Sequence, residues 1–295
     1  MNHNTNINLL KQQQKVHEKA FEDRIKNSSV EMWLNNDNAD YWGNTLPLQD
    51  LKKTFSVLKN KTILTLGDGK GGKDGVFFKN LGHDVTVSDI AVSVLKEAKN
   101  RNIIDKYLKL DSENIDLENN SFDFVITKET LHHLPRPYLG LYEMLRVAKE
   151  AIVIIEPRIK ENIYNHTIPN KNSYEISGNF LFRFSPYEII QIARSYGAVY
   201  VAYKFCRIFS TTNAGNIKNQ ELKTLIMEQN KIFEQEDKLN DVSNKGLISF
   251  IIWKKKPNKE IIKSLKTENF ITIDTSVPLE ITNNINTFLK TQEIE

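Results

Sequence analysis

The sequence predicts an α/β fold: a doubly wound, seven-stranded, mostly parallel sheet with an N-terminal helical cap and an insertion after the fifth strand. Apolar strand-like runs alternate with helical patterns over residues 62–156, which is typical of parallel strands joined by helical crossovers. A glycine-rich turn follows the first strand at residues 67–72, as in sheets that bind ligands at their carboxyl edge. Residues 151–155 are all apolar, as expected of a central strand covered on both faces.

The segment before the first strand predicts helices. Apolar positions recur at helical spacing between residues 11 and 34, and residues 49–58 predict a further short helix. Tyr41 and Trp42 lie between these helices. They either anchor the segment on the core or belong to a lid over the ligand.

The remaining elements follow from their apolar patterns. The predicted strands are 62–66, 85–89, 103–110, 121–127, 151–155, 199–208 and 246–253, the last of them antiparallel. Helices are predicted before Gly82 and at 91–99, 138–147, 185–196 and 216–233.

Two segments depart from this alternation. Residues 158–184 are polar and aromatic and predict an insertion, whereas the tail has little periodicity beyond an extended arm at 274–278 and a short terminal helix. The predicted domains are therefore a cap or lid at 1–58, a main domain at 59–256, and a C-terminal extension at 257–295.

Composition excludes several classes of protein. The chain has 295 residues, enough for one large domain or a domain with a cap. Its 40 basic and 37 acidic residues are scattered, so no nucleic-acid stripe stands out. No apolar run reaches the roughly 18 residues of a membrane span, and the N-terminus lacks a signal-peptide core. We expect a cytoplasmic protein. The single cysteine, Cys206, excludes an internal disulfide, and no metal site is predicted.

The glycine turn predicts a site for a ligand that contains a nucleoside. Gly67, Gly69 and Gly71 let a ligand touch the main chain, and the next helix directs its N–H groups there. Asp89 ends the second strand, where it can accept hydrogen bonds from both ribose hydroxyls. Asp68 would repel a pyrophosphate but tolerates an amine and a sulfonium group. The G-x-G-x-G spacing also differs from the dinucleotide fingerprint.

These residues resemble the class I (Rossmann-like) S-adenosylmethionine (SAM)-dependent methyltransferases, in particular the small-molecule branch, whose first motif is an apolar strand leading into G-x-G-x-G. Further landmarks in the family's order are residues 111–113, 121–125 and 131–134. The resemblance covers about residues 60–160 and implies SAM as cofactor, with S-adenosylhomocysteine (SAH) as product. The family usually has an acid two residues before the first glycine, where this chain has Thr65. The contact with the methionine amine is then either weaker or supplied by another group such as Asp68.

The resemblance also implies a set of cofactor-binding residues, with the adenine against residues 111–113. The set is Gly67, Asp68, Gly69, Gly71, Asp89, Ile90, Asp111, Ser112, Glu113 and Lys128.

The loop after the fourth strand carries the candidates for catalysis. Methyl transfer needs an aligned acceptor and, for a hydroxyl or ammonium acceptor, removal of a proton. Histidine suits this because its pKa is near neutrality. We favour His133 as the base over His132, with Glu129 beside them. Adjacent side chains point in different directions, so at most one histidine should face the pocket. Alternatively, both only shape the loop.

Six residues are predicted to contact the acceptor, two of them in the insertion that covers the acceptor in the resembled family: Tyr41, Trp42, Arg136, Glu156, Tyr164 and Arg183. We expect a small-molecule acceptor, a sugar or natural-product intermediate being favoured, with no membrane or nucleic-acid partner and a homodimer left open. RNA or protein methylation is disfavoured because the N-P-P-[YFW] motif is absent. Two different functions stay open, namely a nicotinamide-dependent oxidoreductase and a non-catalytic SAM-binding or partner-binding subunit.

Overall fold

The computed structural model describes residues 30–159, 180–239 and 245–292, together with residues 12, 15, 16, 18, 19, 22, 23, 174 and 241. Most of the predicted insertion, including Tyr164, and parts of the predicted helices at 11–34 lie outside the described residues.

The strands form one sheet in the order β3-β2-β1-β4-β5-β7-β6-β8. Strands β1 to β5 pair in parallel, whereas β7 runs antiparallel to both β5 and β6, and β8 runs antiparallel to β6. The predicted α/β class and the antiparallel seventh strand are confirmed, and an eighth strand is added to the predicted seven. The strands are β1 Thr62–Leu66, β2 Asp84–Asp89, β3 Lys106–Lys109, β4 Phe122–Lys128, β5 Ala148–Pro157, β6 Tyr200–Cys206, β7 Leu247–Trp253 and β8 Ile271–Asp274.

The helices of the described residues lie before, between and after these strands. They are α1 Val30–Leu34, α2 Ala39–Gln49, α3 Lys52–Val57, α4 Lys73–Lys79, α5 Ser93–Asn100, α6 Pro137–Val147, α7 Pro186–Ser195, α8 Asn219–Lys238, α9 Lys259–Thr267 and α10 Leu279–Gln292. No helix in the described part of the chain is long and apolar enough to span a membrane.

Alternate strand residues pack into two cores, one on each face of the sheet, because side chains along a strand alternate between faces. Ile63 and Phe124 belong to the core beneath α3, α4, α5 and α9. Leu64 and Val125, their chain neighbours, belong to the core beneath α6 and α7. Covering both faces leaves the strand ends as the place where a ligand can meet the sheet.

The C-terminal extension is more regular than its sequence suggested. Asn258 accepts a hydrogen bond from the Ile261 N–H and so caps α9. Ser264 of α9 lies 2.9 Å from the Thr54 hydroxyl of α3. Strand β8 then joins the sheet edge beside β6, although we predicted an irregular segment there. The extended arm predicted at 274–278 therefore overlaps the end of this edge strand.

Strand β1 sits where the sheet changes direction. Its neighbours are β2 on one side and β4 on the other. Helices leaving these strands turn to opposite faces, which opens a crevice at their carboxyl ends. The glycine turn after β1 and the loop after β4 both begin at this crevice.

Candidate active site

The glycine turn is packed so closely that side chains cannot be added to it. Gly67 has φ +70°, and a Cβ there would lie 2.0 Å from Thr130 Oγ1 in the loop after β4. A Cβ on Gly69 would lie 2.6 Å from Asp89 Oδ2. The turn therefore presents bare main chain between the ends of β2 and β4, which is the cradle that a nucleoside ligand needs.

Asp89 lies at the tip of β2 and ties two loops together. Its Oδ2 accepts the Gly69 N–H at 2.9 Å, and its Oδ1 accepts the Ala91 N–H at 2.8 Å. A carboxylate oxygen has two lone pairs and can accept more than one hydrogen bond, which suits a group expected to meet ribose hydroxyls. Ile90, the next predicted contact, is half-buried beside it.

Asp68 is buried inside the turn. Its carboxylate accepts the Gly75 N–H at 2.8 Å, the Asp74 N–H at 3.2 Å and the Thr65 hydroxyl at 3.1 Å. These contacts stabilise the first turn of α4. Burial, and next the neighbouring Asp74 carboxylate, raise the pKa of Asp68 well above its usual value.

A group of three charged side chains, of which Asp74 and Lys128 are buried, lies between the glycine turn and the end of β4. The Lys128 Nζ is 3.6 Å from both Asp74 Oδ1 and Glu129 Oε2, and the Lys128 side chain is only 7% exposed. Burial alone would lower the pKa of Lys128, but the adjacent carboxylates raise it. Burial raises the pKa of Asp74, against the opposing charge of Lys128. Asp74 was not among the predicted site residues, although an acid in the first turn of α4 is visible in the sequence.

Glu129 is held in an unusual backbone conformation. Seven non-glycine residues in the described ranges have positive φ, and six of them are asparagines, which tolerate this region. Glu129 is the seventh, with φ +51°. Its N–H donates to the Ile155 carbonyl at 2.8 Å, which fixes the strained residue against β5. Strain of this kind concentrates at functional sites.

After β3, Glu113, a predicted cofactor contact, pairs with Arg136, a predicted acceptor contact. Glu113 is buried, and its carboxylate accepts the Arg136 N–H and the Arg136 Nη2–H, the latter at 2.8 Å. Asp111 Oδ1 accepts the Glu113 N–H at 2.9 Å, and Ser112 is buried between them. Arg136, which we predicted to contact the acceptor, therefore bonds to Glu113.

The two histidines lie in a short 3-10 turn, Leu131–His133. We expected the two rings to point apart. Instead, their centroids are 3.8 Å apart and their planes are tilted by 39°. Glu156 is fully buried at the end of β5, and its Oε2 lies 2.6 Å from His132 Nδ1. Its Oε1 accepts the N–H groups of Thr130 and Leu131. We predicted that Glu156 contacts the acceptor, whereas these bonds direct its carboxylate to the loop.

The N-terminal helices cover the glycine turn. A Cβ on Gly71 would meet Leu34 and the main chain of Trp33 in α1. Lys73 of α4 forms an ion pair with Asp40 of α2 at 2.5 Å. Neither member of this pair was predicted from the sequence, because neither belongs to a recognisable motif.

The predicted acceptor contacts are spread around the cap and the loops. The Tyr41 ring lies 5.9 Å from Lys73 Nζ, and burial raises the pKa of Tyr41. The Trp42 ring packs edge-on against Phe209 at 4.8 Å. Arg183 is exposed, and Tyr164 lies outside the described residues. Within those residues, no group of three or more His, Cys, Asp or Glu side chains could hold a metal ion.

Comparison with known proteins identifies the domain. A family model described as a methyltransferase domain matches residues 64–155, from β1 to β5. No curated protein matches the sequence.

Solved structures give more distant likenesses. A chain of the Haloferax volcanii complex between the Trm112 methyltransferase activator and a methyltransferase is 14% identical, covering 84% of this chain and 98% of that one, with a TM-score of 0.49. A SAM-dependent methyltransferase from Aquifex aeolicus is 18% identical, covering 77% and 100%, with a TM-score of 0.46. The Burkholderia thailandensis 1,6-didemethyltoxoflavin-N1-methyltransferase is 13% identical, covering 72% and 80%, with a TM-score of 0.48. Likenesses at this level say nothing about the activity of this chain.

The matched segment contains the glycine turn, Asp89 and the loop after β4. The residues present also fit the cofactor that such a domain uses. The main chain is open at the glycines, a carboxylate lies at the strand end where the ribose would bind, and carboxylates near α4 suit a ligand with positive charge. The domain match, the sheet and this site together identify residues 64–155 as a methyltransferase domain of the class I type, with SAM as its cofactor.

Proposed function

We propose that this enzyme methylates an oxygen or nitrogen atom of a small molecule, with a sugar or a natural-product intermediate as the favoured acceptor. One observation carries the proposal. The histidine loop after β4 lies directly against the cofactor turn, because Thr130 occupies the space that a Gly67 side chain would need. His132 and His133, which can accept a proton, therefore follow Thr130, the residue packed against the cofactor turn, by two and three residues.

Aromatic side chains beside this loop favour a small, partly apolar acceptor. The Phe182 N–H donates to the His132 carbonyl at 3.4 Å. The Phe182 ring packs against Tyr138 at 5.2 Å and Phe184 at 5.0 Å. A wall of this kind suits a ring-shaped molecule with few charges.

The residues of this chain would have the following roles in methyl transfer. SAM supplies a methyl group made electrophilic by its sulfonium sulfur. We propose that Asp89 accepts the ribose hydroxyls and that the glycine turn presents main-chain N–H groups. Lys128 balances the carboxylates of Asp74 and Glu129 at the end of β4. A histidine of the loop takes the proton that the acceptor loses.

We further propose that residues 1–58 act as a cap, residues 59–256 as the methyltransferase domain and residues 257–295 as an extension. The contacts of Trp33 and Leu34 with the Gly71 site support the cap. In this arrangement the described part of the cap, residues 30–58, shields the cofactor turn from water.

Calorimetry and an acceptor screen test the proposal. Purified protein is titrated with SAM, SAH and NADH, and SAH release is then measured with panels of sugars, phenols, amines, RNA and peptides. We expect binding of SAM and SAH, and turnover with a small hydroxyl or amine compound. Binding of NADH without SAM or SAH would overturn the assignment of the cofactor. Turnover confined to RNA or peptides would overturn the acceptor class.

A further inference from the structure

We propose that Glu156 is a positioning residue that holds His132 as the tautomer with its proton on Nδ1, which makes Nε2 of His132 the proton acceptor in methyl transfer. This inference rests on the proposed function, and it selects His132 where the sequence favoured His133. Glu156 is thereby assigned a positioning role in place of the acceptor contact that we predicted from the sequence.

The geometry of Glu156 defines which ring nitrogen carries the proton. Glu156 is fully buried, and its Oε1 accepts the Thr130 N–H at 3.0 Å and the Leu131 N–H at 2.8 Å. Oε1 is therefore an acceptor, and Oε2 is the oxygen that meets the His132 ring. An ionised carboxylate only accepts hydrogen bonds, so the 2.6 Å contact between Glu156 Oε2 and His132 Nδ1 requires a proton on Nδ1.

The other ring nitrogen is left as the acceptor. Nε2 of His132 makes no hydrogen bond to the described part of the chain, and the His132 side chain is 11% exposed. In neutral imidazole, a proton on Nδ1 leaves a lone pair on Nε2. A carboxylate behind Nδ1 also stabilises the imidazolium that forms when Nε2 takes a proton.

The same carboxylate fixes where the ring stands. Strands β4 and β5 pair in parallel, with Lys128 opposite Ile155. This register brings Glu156 beside the loop that leaves β4. Because the two bonds to Oε1 come from the residues just before His132, Glu156 sets the loop and the ring together. The loop also contacts the cofactor turn, through Thr130 and the Gly67 site.

His133 is close enough to affect His132 electrostatically. The two ring centroids are 3.8 Å apart, so a charge on either ring is felt by the other. The Glu156 carboxylate contacts the His132 ring, through Nδ1.

The step balances without another reagent. The acceptor oxygen or nitrogen forms its bond to the methyl carbon as the carbon–sulfur bond breaks, and sulfur keeps the electron pair. The acceptor's proton passes to Nε2 of His132 and leaves to solvent after product release.

The decisive variant is Glu156→Gln. Its amide oxygen can still accept from Thr130 and Leu131, whereas its NH₂ group would donate to Nδ1 and force the proton of His132 onto Nε2. Glu268→Gln is the matched control. Glu268 also accepts two backbone N–H groups, from Lys53 and Thr54, and one side-chain donor, but it lies far from the loop in sequence and contacts α3.

The tautomer is read by ¹⁵N NMR of histidine-labelled protein, with His132→Gln assigning the signal. We expect protonated Nδ1 in the wild type and in Glu268→Gln, and protonated Nε2 in Glu156→Gln. This readout needs no acceptor. A wild-type His132 with its proton on Nε2 would overturn the proposal even if Glu156→Gln failed to fold.

Turnover is then measured on the acceptor found in the screen. We expect Glu156→Gln and His132→Gln each to lose about 10²- to 10⁴-fold in kcat, with SAH affinity unchanged. The double variant should be no slower than His132→Gln alone, because residues that act as a unit are not additive. Normal turnover in Glu156→Gln, or a larger loss in His133→Gln than in His132→Gln, would contradict the assignment. Failure of the wild type to bind SAH would instead refute the proposed function.

Discussion

Replacing Asp89 with alanine tests whether this carboxylate binds the ribose of the cofactor. The carboxylate accepts the Gly69 N–H at 2.9 Å and the Ala91 N–H at 2.8 Å, and we assign it the ribose hydroxyls as well. Asp89→Ala removes all of these acceptors at once. Two separate losses should follow, one in ligand affinity and one in stability.

The size of each loss follows from the bonds removed. A hydrogen bond to an ionised acceptor contributes about 1–3 kcal/mol. Losing the ribose contact should therefore weaken SAH binding by about 5- to 150-fold, at 1.4 kcal/mol for each tenfold change. Asp89 is only half-buried, so water can reach the two freed N–H groups. We expect the free energy of unfolding to fall by about 1–3 kcal/mol.

Isothermal calorimetry with SAH and urea unfolding measure the two effects separately. Asp84→Ala is the matched control, because Asp84 begins the same strand and pairs with Lys106 at 2.7 Å on the surface. It should leave SAH affinity unchanged and cost at most about 1 kcal/mol of stability. Equal SAH affinity in Asp89→Ala and wild type would refute the ribose assignment.

Three further predictions concern the same crevice. Gly67→Val places its Cβ against Thr130 at a φ of +70°, so it should abolish SAH binding and lower the melting temperature, both measurable by thermal shift. Lys128→Met leaves the buried Asp74 carboxylate without its cation and should destabilise the protein by about 3–5 kcal/mol in urea; a cost below 1 kcal/mol would contradict the buried pair. Burial raises the pKa of Asp68 in the folded state, so ionising it opposes folding. Wild-type stability should therefore fall as pH rises from the ordinary aspartate pKa of about 3.9 through the raised value, relative to Asp68→Asn. Parallel stability curves for the two proteins would refute this sign.

Local patterns were enough to predict most of the sheet. Strand β1 was predicted at its observed bounds, and the apolar run at residues 151–155 forms the middle of β5. Such strands are recognisable because burial on both faces makes their residues apolar. Strand β8 was missed because it is an edge strand of four residues, half of them exposed, which leaves no such pattern. Helix α9 was missed although its cap residue, Asn258, precedes its buried positions, because a helix of nine residues has only a few apolar positions to mark its buried face.

Pairings within the site could not be predicted from sequence. Glu156 lies 24 residues after His132, and only the parallel register of β4 and β5 brings them together. Glu113 and Arg136 are 23 residues apart and were assigned to different ligands, although they bond to each other. A sequence shows which residues end strands on the same edge. Which of their side chains face one another depends on the strand register and on the conformation of the loops.

Thr65 stands where the resembled family usually has an acid, and Asp68 supplies a carboxyl group three residues later. The Thr65 hydroxyl donates to the carboxylate of Asp68. Asp68 therefore places a carboxyl group at the end of β1, on the other side of the first glycine. Because its oxygens also accept two N–H groups of α4, this group stabilises the helix whose N-terminus faces the cofactor. The substitution thus moves the carboxylate along the chain while keeping it buried at the same strand end.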